Sequence, residues 1–113
     1  MDKQHIETVA DTDIIRAFAA RRAESQPKAQ PGRVTDFLGI GTRVAYIDSI
    51  AHLAGTVEEP PIPANFHASQ LEWAGTLRSA LQTERKYIAV ELGAGWCPWL
   101  LAGAVAAQGC GAK

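Results

Sequence analysis

The run Val90-Glu-Leu-Gly-Ala-Gly-Trp-Cys-Pro-Trp99 constrains this chain more than any other stretch. Tyr87 to Leu92 is apolar except for Glu91 and reads as a short strand. Its Tyr87-Ile-Ala-Val portion has the near-continuous apolar character of a parallel strand buried on both faces. Gly93 and Gly95 then turn the chain, and an apolar helix opens at Pro98. Proline suits the first helical turn, where its missing N–H would have had no partner. Strand, glycine turn and helix start together make a cradle for an anionic or nucleotide-like ligand. The glycines admit close backbone approach, and the helix start supplies unpaired N–H groups and a positive dipole end. A single strand cannot form a sheet, so parallel neighbours are expected beyond Lys113.

The position of the acid separates the nucleotide-binding classes. A dinucleotide fingerprint is G-x-G-x-x-G with its carboxylate about twenty residues downstream. Here Pro98 stands at the third glycine position, and Glu91 lies two residues before the first glycine. Both features disfavour a nicotinamide site. Acid-x-Gly-x-Gly after a buried strand resembles instead the first motif of S-adenosylmethionine-dependent methyltransferases.

Further segments extend that resemblance. Thr35-Asp-Phe-Leu-Gly39, Thr42-Arg43, Pro61-Ile-Pro-Ala-Asn-Phe-His67, Glu72-Trp-Ala-Gly75 and Val90-Glu-Leu-Gly-Ala-Gly-Trp96 are similar, in that order, to the amino-terminal part of FkbM-type methyltransferases. The similarity spans roughly residues 33 to 108, and the order is more specific than any one piece. It implies an α/β fold, the start of a Rossmann-like doubly wound methyltransferase domain preceded by a helix and a short β-hairpin. It also implies S-adenosylmethionine as cofactor, held by Glu91, Gly93, Ala94, Gly95 and Trp96. The reaction it implies is methyl transfer to a small-molecule acceptor, commonly a hydroxyl oxygen of a sugar or secondary metabolite. The ribose-binding acid and the acceptor pocket of such a fold are expected beyond Lys113. One position departs from the family: a small residue, most often glycine, usually stands where this chain has Cys97, and cysteine does not take up positive φ as glycine does.

Composition narrows the classes further. With 47% hydrophobic and 20% charged residues, 113 residues can form one small globular body with a thin core. Eleven Lys and Arg against twelve Asp and Glu leave no basic footprint for nucleic acid, and Arg21-Arg22 reads as a solvated helix face. The apolar stretch Trp99 to Ala107 is shorter than the roughly twenty residues a bilayer requires, so no membrane partner is expected. The opening Met-Asp-Lys-Gln-His carries no apolar signal region, and two cysteines without a CxxC pair fit a reducing compartment, so the expected location is cytoplasmic.

Along the chain, residues 1–32 are expected to hold a helix from Asp13 to Glu24 and a Pro/Gly linker, Ser25 to Gly32. Ile14, Ile15, Phe18 and Ala19 form that helix's apolar stripe. Residues 33–66 hold an expected hairpin, Arg33 to Leu38 and Thr42 to Asp48 around Gly39-Ile-Gly41, and an extended Pro-rich loop from Gly55 to Asn65. Asp48-Ser49 offers an alternative, capping a short helix through His52 and Leu53. Residues 67–113 are the first helix-strand-helix of the cofactor domain, left incomplete. Their helix is expected from His67 to Thr83, with Leu71, Ala74, Leu77, Ala80 and Leu81 inward.

Each candidate residue also has a structural explanation. Glu91 can contact a cofactor or cap the N–H groups of the following helix. Gly93 and Gly95 can serve a ligand or simply a tight turn. Trp96 and Trp99 can cover the cofactor or fill core, with core favoured for Trp99. Cys97 at a helix start has no neighbouring histidine to activate it and reads as a structural thiol. His67 reads as a helix-start residue with a local hydrogen bond, or as a pocket wall. His5, His52 and His67 lack metal-ligand spacing, and Asp36 and Asp48 form no acid/base couple. No catalytic residue is identified. A non-catalytic interaction module, or the partner subunit of a truncated methyltransferase acting as a homo-oligomer or with a missing carboxy-terminal portion, is the alternative function. In that case another chain would cover the first helix and the open strand edges.

Overall fold

Helix α1 spans Asp11–Ala23 and helix α2 spans Gln70–Leu81, and they pack together because each carries one buried stripe. On α1 the stripe is Ile14, Ile15 and Phe18 with Ala19 at its margin, as the spacing predicts. On α2 it is Trp73, Ala74, Leu77 and Ala80. Leu71, expected in that stripe, is 70% exposed. At 3.6 residues per turn it sits about half a turn from Trp73, and the larger indole takes the core face. The computed structural model describes residues 6, 8–23, 26–93 and 95–112. The expected end of the first helix at Glu24 and the expected cofactor-binding residue Ala94 both fall outside them.

Both helix starts differ from expectation for identifiable reasons. Helix α1 starts at Asp11, two residues before the expected Asp13, and the Asp11 carboxylate pairs with Arg78 of α2, whose guanidinium also donates to the carbonyls of Ile6 and Val9. That one side chain ties the amino-terminal segment to α2. Helix α2 starts at Gln70 and not at His67, because Ser69 and Glu72 form a capping box. The Glu72 carboxylate accepts from the Ser69 N–H at 3.3 Å and from its hydroxyl at 3.2 Å.

The hairpin forms in a shorter version. Strands β1, Arg33–Thr35, and β2, Gly41–Arg43, pair antiparallel with Val34 opposite Thr42. The expected three-residue connection is a five-residue one, residues 36 to 40. Asp36 turns the chain: its Oδ1 accepts from the N–H groups of Leu38 at 2.9 Å and Ile40 at 3.0 Å. That turn lifts Phe37 and Leu38 out of the ladder and into the core. Beyond β2 the chain winds into 3-10 turns at Val44–Tyr46 and Asp48–Leu53, so the short helix, not a longer strand, occupies the second segment. It begins from Ile47, without a side-chain cap from Asp48 or Ser49.

The Pro-rich loop is not wholly extended coil. Its Thr56–Val57 forms β3, parallel to β1, giving a three-stranded sheet in the order β2-β1-β3. Gly55 and Glu58 continue the pairing by donating to the carbonyls of Arg33 and Thr35. Ile62–Pro63 is a cis peptide bond.

Helix α3, Pro98–Gly109, lies on α2 through Ala102, Ala106 and Ala107. The Tyr87 ring approaches Gly103 so closely that a Cβ there would stand 2.7 Å from its hydroxyl oxygen. That hydroxyl shares a 2.8 Å hydrogen bond with Ser79 Oγ, so Tyr87 bridges α2 and α3.

The expected strand from Tyr87 to Leu92 does not form. Among the described residues its backbone makes no hydrogen bond, and Ile88, Val90 and Leu92 are 76%, 82% and 91% exposed. Tyr87 and Glu91 are directed to α2 and α3, but Ala89 between them is exposed along with Ile88 and Val90, so burial does not alternate as in a strand. The expected burial on both faces is absent because none of the three described strands lies beside this segment. The result is a mixed helix and small-sheet body with a radius of gyration of 13.9 Å, close to the value for one compact unit of this length.

Candidate functional site

The segment between Leu92 and Pro98 is built from backbone conformations that most residues avoid. Gly93 has φ +64° and Gly95 φ +58°, both left-handed. An added Cβ would meet nothing within 4 Å at either position. Glycine is therefore required here by torsion and not by crowding, and the backbone of both residues lies open to an approaching ligand. Cys97 is a correction to expectation: it does adopt positive φ, at φ +60° and ψ +44°. A left-handed conformation costs a non-glycine residue about 1–2 kcal/mol. The position keeps the backbone geometry of a glycine with a side chain added. Its thiol is free and half-buried.

Glu91 compensates for the missing cap at Cys97. Its Oε1 accepts from the backbone N–H groups of Trp99 at 2.9 Å and Leu100 at 2.8 Å. The carboxylate thus satisfies two of the orphan donors of α3 and opposes its positive dipole end. The two N–H groups an anionic ligand would use are occupied.

An aromatic cluster supports the turn from beneath. The His67 ring lies 4.8 Å from Phe66, 5.4 Å from Trp73, 6.0 Å from Trp96 and 5.3 Å from Trp99, measured between centroids. Trp73 and Trp99 meet edge to face at 5.2 Å, so Trp99 packs against core. His67 is held in a turn before α2 by Asn65, whose Oδ1 accepts from the N–H groups of His67 and Ala68. The indole N–H groups of Trp73 and Trp96 are buried without a hydrogen-bond partner among the described residues.

Burial in this cluster pushes the His67 pKa below its usual 6.5, and the nearby carboxylates of Glu72 and Glu91 only partly oppose that. A histidine whose folded pKa is depressed binds its proton more readily in the unfolded chain. Its contribution to stability is therefore full above about pH 6.5 and is lost as pH falls through the lower, folded value. Thermal unfolding followed from pH 8 to pH 5 should show a drop in Tm that is smaller in His67→Gln. An equal drop in both proteins would remove His67 as its source.

An open cleft of ≈ 520 Å³ lies above the turn, lined by Tyr46, Gly95 and Trp96. Glu91 and Gly93 of the expected set adjoin this turn but do not line the cleft, and Ala94 lies outside the described residues. Tyr46 carried no signal in the sequence, because only tertiary packing brings it to Gly95 and Trp96. Asp36, buried at the hairpin turn, lies near the half-buried Glu58. Burial raises the pKa of the Glu58 carboxyl, a backbone hydrogen bond from Phe66 opposes the shift, and the Asp36 charge adds to it. Among the described residues no three of His, Cys, Asp and Glu gather as a metal site, and no helix is long and apolar enough to cross a membrane.

No family model matches the chain, and no solved structure matches it. It is similar to a protein of Jannaschia sp. (strain CCS1) that bears the name "Putative methyltransferase", with 42% identity over 100 residues. The matched part is 88% of this chain and 34% of that protein. The chain therefore spans about a third of the length of this relative.

Proposed function

We propose that this chain is the amino-terminal, cofactor-holding portion of an S-adenosylmethionine-dependent methyltransferase of the FkbM type. The observation that carries the reading is the left-handed Gly93–Gly95 turn, which delivers the chain to the start of α3 beside the open cleft. Similarity to a protein named as a methyltransferase supports it. The cleft falls within the roughly 300–1,000 Å³ range of small-molecule sites. Because Glu91 occupies the first N–H groups of α3, the turn favours a ligand without phosphate at that point, as S-adenosylmethionine is. In this reading the Tyr87 to Leu92 segment becomes the first strand of a Rossmann-like parallel sheet, its exposed Ile88, Val90 and Leu92 covered by elements of the longer protein.

The cofactor supplies an activated methyl group on a sulfonium. The work of this chain is to hold and orient the donor near an acceptor oxygen. Gly93 and Gly95 give close backbone approach, Trp96 lines the bound ligand, and Glu91 fixes α3 against the turn while presenting its carboxylate to the cofactor. The acceptor, expected to be a hydroxyl of a sugar or secondary metabolite, binds elsewhere in the whole protein.

Titration of the native gene product with S-adenosylmethionine in a calorimeter tests this. Binding is expected, with loss of at least about tenfold in affinity in Gly93→Val, since valine is strained at φ +64°. Absence of binding by the unaltered protein would reject the reading. A second reading is favoured by one observation, the unpaired apolar edge at Ile88, Val90 and Leu92. Such an edge is a template for strand pairing, so a non-catalytic module pairing with another chain predicts a stable oligomer and no response to the cofactor.

A further inference from the structure

Of the three tryptophans, Trp96 depends most on one neighbour. Among the described residues the only ring its indole meets is that of His67, edge to face, with centroids 6.0 Å apart and planes at 88°. Trp73 and Trp99 also pack on each other at 5.2 Å, and Trp73 packs on Phe37 at 5.0 Å. Those two would keep aromatic neighbours without His67, and Trp96 would keep none. His67 is itself presented by a closed turn. Ala64 and Ser69 form an antiparallel bridge, the Asn65 N–H donates to the Ala68 carbonyl, and the Gln70 N–H donates to the Pro63 carbonyl. The Asn65 side chain accepts from the N–H groups of His67 and Ala68, so the backbone on both sides of the ring is braced. A ring carried on so short and braced a turn is a rigid support.

Trp96 stands between Gly95 at φ +58° and Cys97 at φ +60°, so the direction of its side chain and the course of the turn are set together. We propose that His67 is a positioning residue for the glycine turn: its imidazole holds Trp96, and with it the backbone of Gly95, in the arrangement that receives the ligand. The identity of the ligand rests on the methyltransferase reading; the support rests on the ring contacts. The hold depends on charge. An uncharged imidazole packs half-buried among Phe66, Trp73, Trp96 and Trp99, and burial keeps it uncharged by lowering its pKa from the usual 6.5. The charges that face it are the carboxylates of Glu72 on α2 and Glu91 before the glycine turn. At the start of α3 the titratable group is Cys97, and the first turn of that helix holds no acidic residue. A protonated ring regains water and these carboxylates by leaving the cluster, which removes the support from Trp96. The ligand then binds the uncharged form better, so its affinity falls as pH falls through the lowered, folded value.

The test is calorimetric titration of the native gene product with S-adenosylmethionine at about pH 7.5 and about pH 5.5, beside two variants. His67→Phe keeps a ring that cannot take up a proton, and His67→Ala removes the ring. At the higher pH, His67→Ala should bind about tenfold more weakly, the upper worth of one edge-to-face ring pair, and His67→Phe should stay within about twofold. On acidification the native protein should lose about fivefold more affinity than His67→Phe, a difference from which the ligand's own ionisation cancels. Parallel pH profiles in those two proteins overturn the role of His67, even where His67→Ala fails to fold. Equal affinity in a folded His67→Ala protein, with Gly93→Val still defective, overturns it too and leaves the methyltransferase reading standing. Tryptophan emission gives a readout without ligand, since all three tryptophans have ring centroids within 6.0 Å of His67. If the native protein binds no S-adenosylmethionine at either pH, the methyltransferase reading fails and emission decides. A red shift on acidification that is absent from His67→Phe then upholds the support of Trp96, and identical spectra overturn it.

Discussion

Trp73→Ala is expected to lower the unfolding free energy by about 3–5 kcal/mol, the usual cost of truncating a buried tryptophan. Trp73 is 1% exposed and stands where α2 meets the two regions that frame the site. It packs edge-on against Phe37 from the hairpin turn at 5.0 Å and against Trp99 from the first turn of α3 at 5.2 Å. It also holds His67 at 5.4 Å. Its indole N–H has no partner among the described residues, so truncation loses packing and leaves a cavity without breaking a hydrogen bond they make. A domain with a total stability of about 5–15 kcal/mol would keep little of it. Urea unfolding monitored by circular dichroism measures the change, and Trp73→Phe, which retains a ring, should lose clearly less. A change under about 1 kcal/mol in the alanine variant would mean that α2 does not couple the hairpin turn to α3 in this way.

The same residue marks what the sequence made legible. The helical spacing of α1 placed Ile14, Ile15 and Phe18 correctly, because an amphipathic stripe depends only on local periodicity. The spacing places Ala74, Leu77 and Ala80 of α2 inward as observed, with Leu81 at the margin, but it includes the exposed Leu71 and omits Trp73, because several apolar residues compete for the inward face and size decides between them. The start of α2 was available in Ser69-x-x-Glu72, a capping box that local sequence alone specifies. The hairpin was legible as a pair of strands but not in its length, since one buried carboxylate, Asp36, captures two N–H groups and bends the chain early.

The candidate site divides along the same line. Positive φ at Gly93 and Gly95 follows from residue type, whereas positive φ at Cys97 runs against it. The chain holds Cys97 there because Glu91 and Pro98 both require α3 to start at that point. Tyr46 and the His67 cluster are products of tertiary packing and have no local signature. Strand character from Tyr87 to Leu92 is present in the apolar composition but neither in pairing nor in alternating burial, since Ala89 is exposed with Ile88 and Val90. Whether an apolar run becomes a strand depends on a neighbour that the run does not encode.

Glu91 offers the second large effect, because two roles meet on one carboxylate. Glu91→Ala should cost about 2 kcal/mol, the order expected when charge-assisted hydrogen bonds to helix-start N–H groups are lost. Two donors, at Trp99 and Leu100, would then be left without their acceptor. Glu91→Gln keeps an acceptor oxygen in place and gives up only the charge opposite the helix dipole, worth about 0.3–1 kcal/mol. Unfolding curves of the two variants therefore measure the cap by itself. The glutamine variant then isolates the ligand, since its fold should survive nearly intact. If the carboxylate also holds S-adenosylmethionine, affinity in Glu91→Gln should fall about tenfold while its Tm moves little, as loss of a charged hydrogen bond to a ligand would require. Unchanged affinity in a folded Glu91→Gln protein would assign Glu91 wholly to the start of α3. Cofactor recognition would then rest on the glycine backbone and the aromatic walls of the cleft.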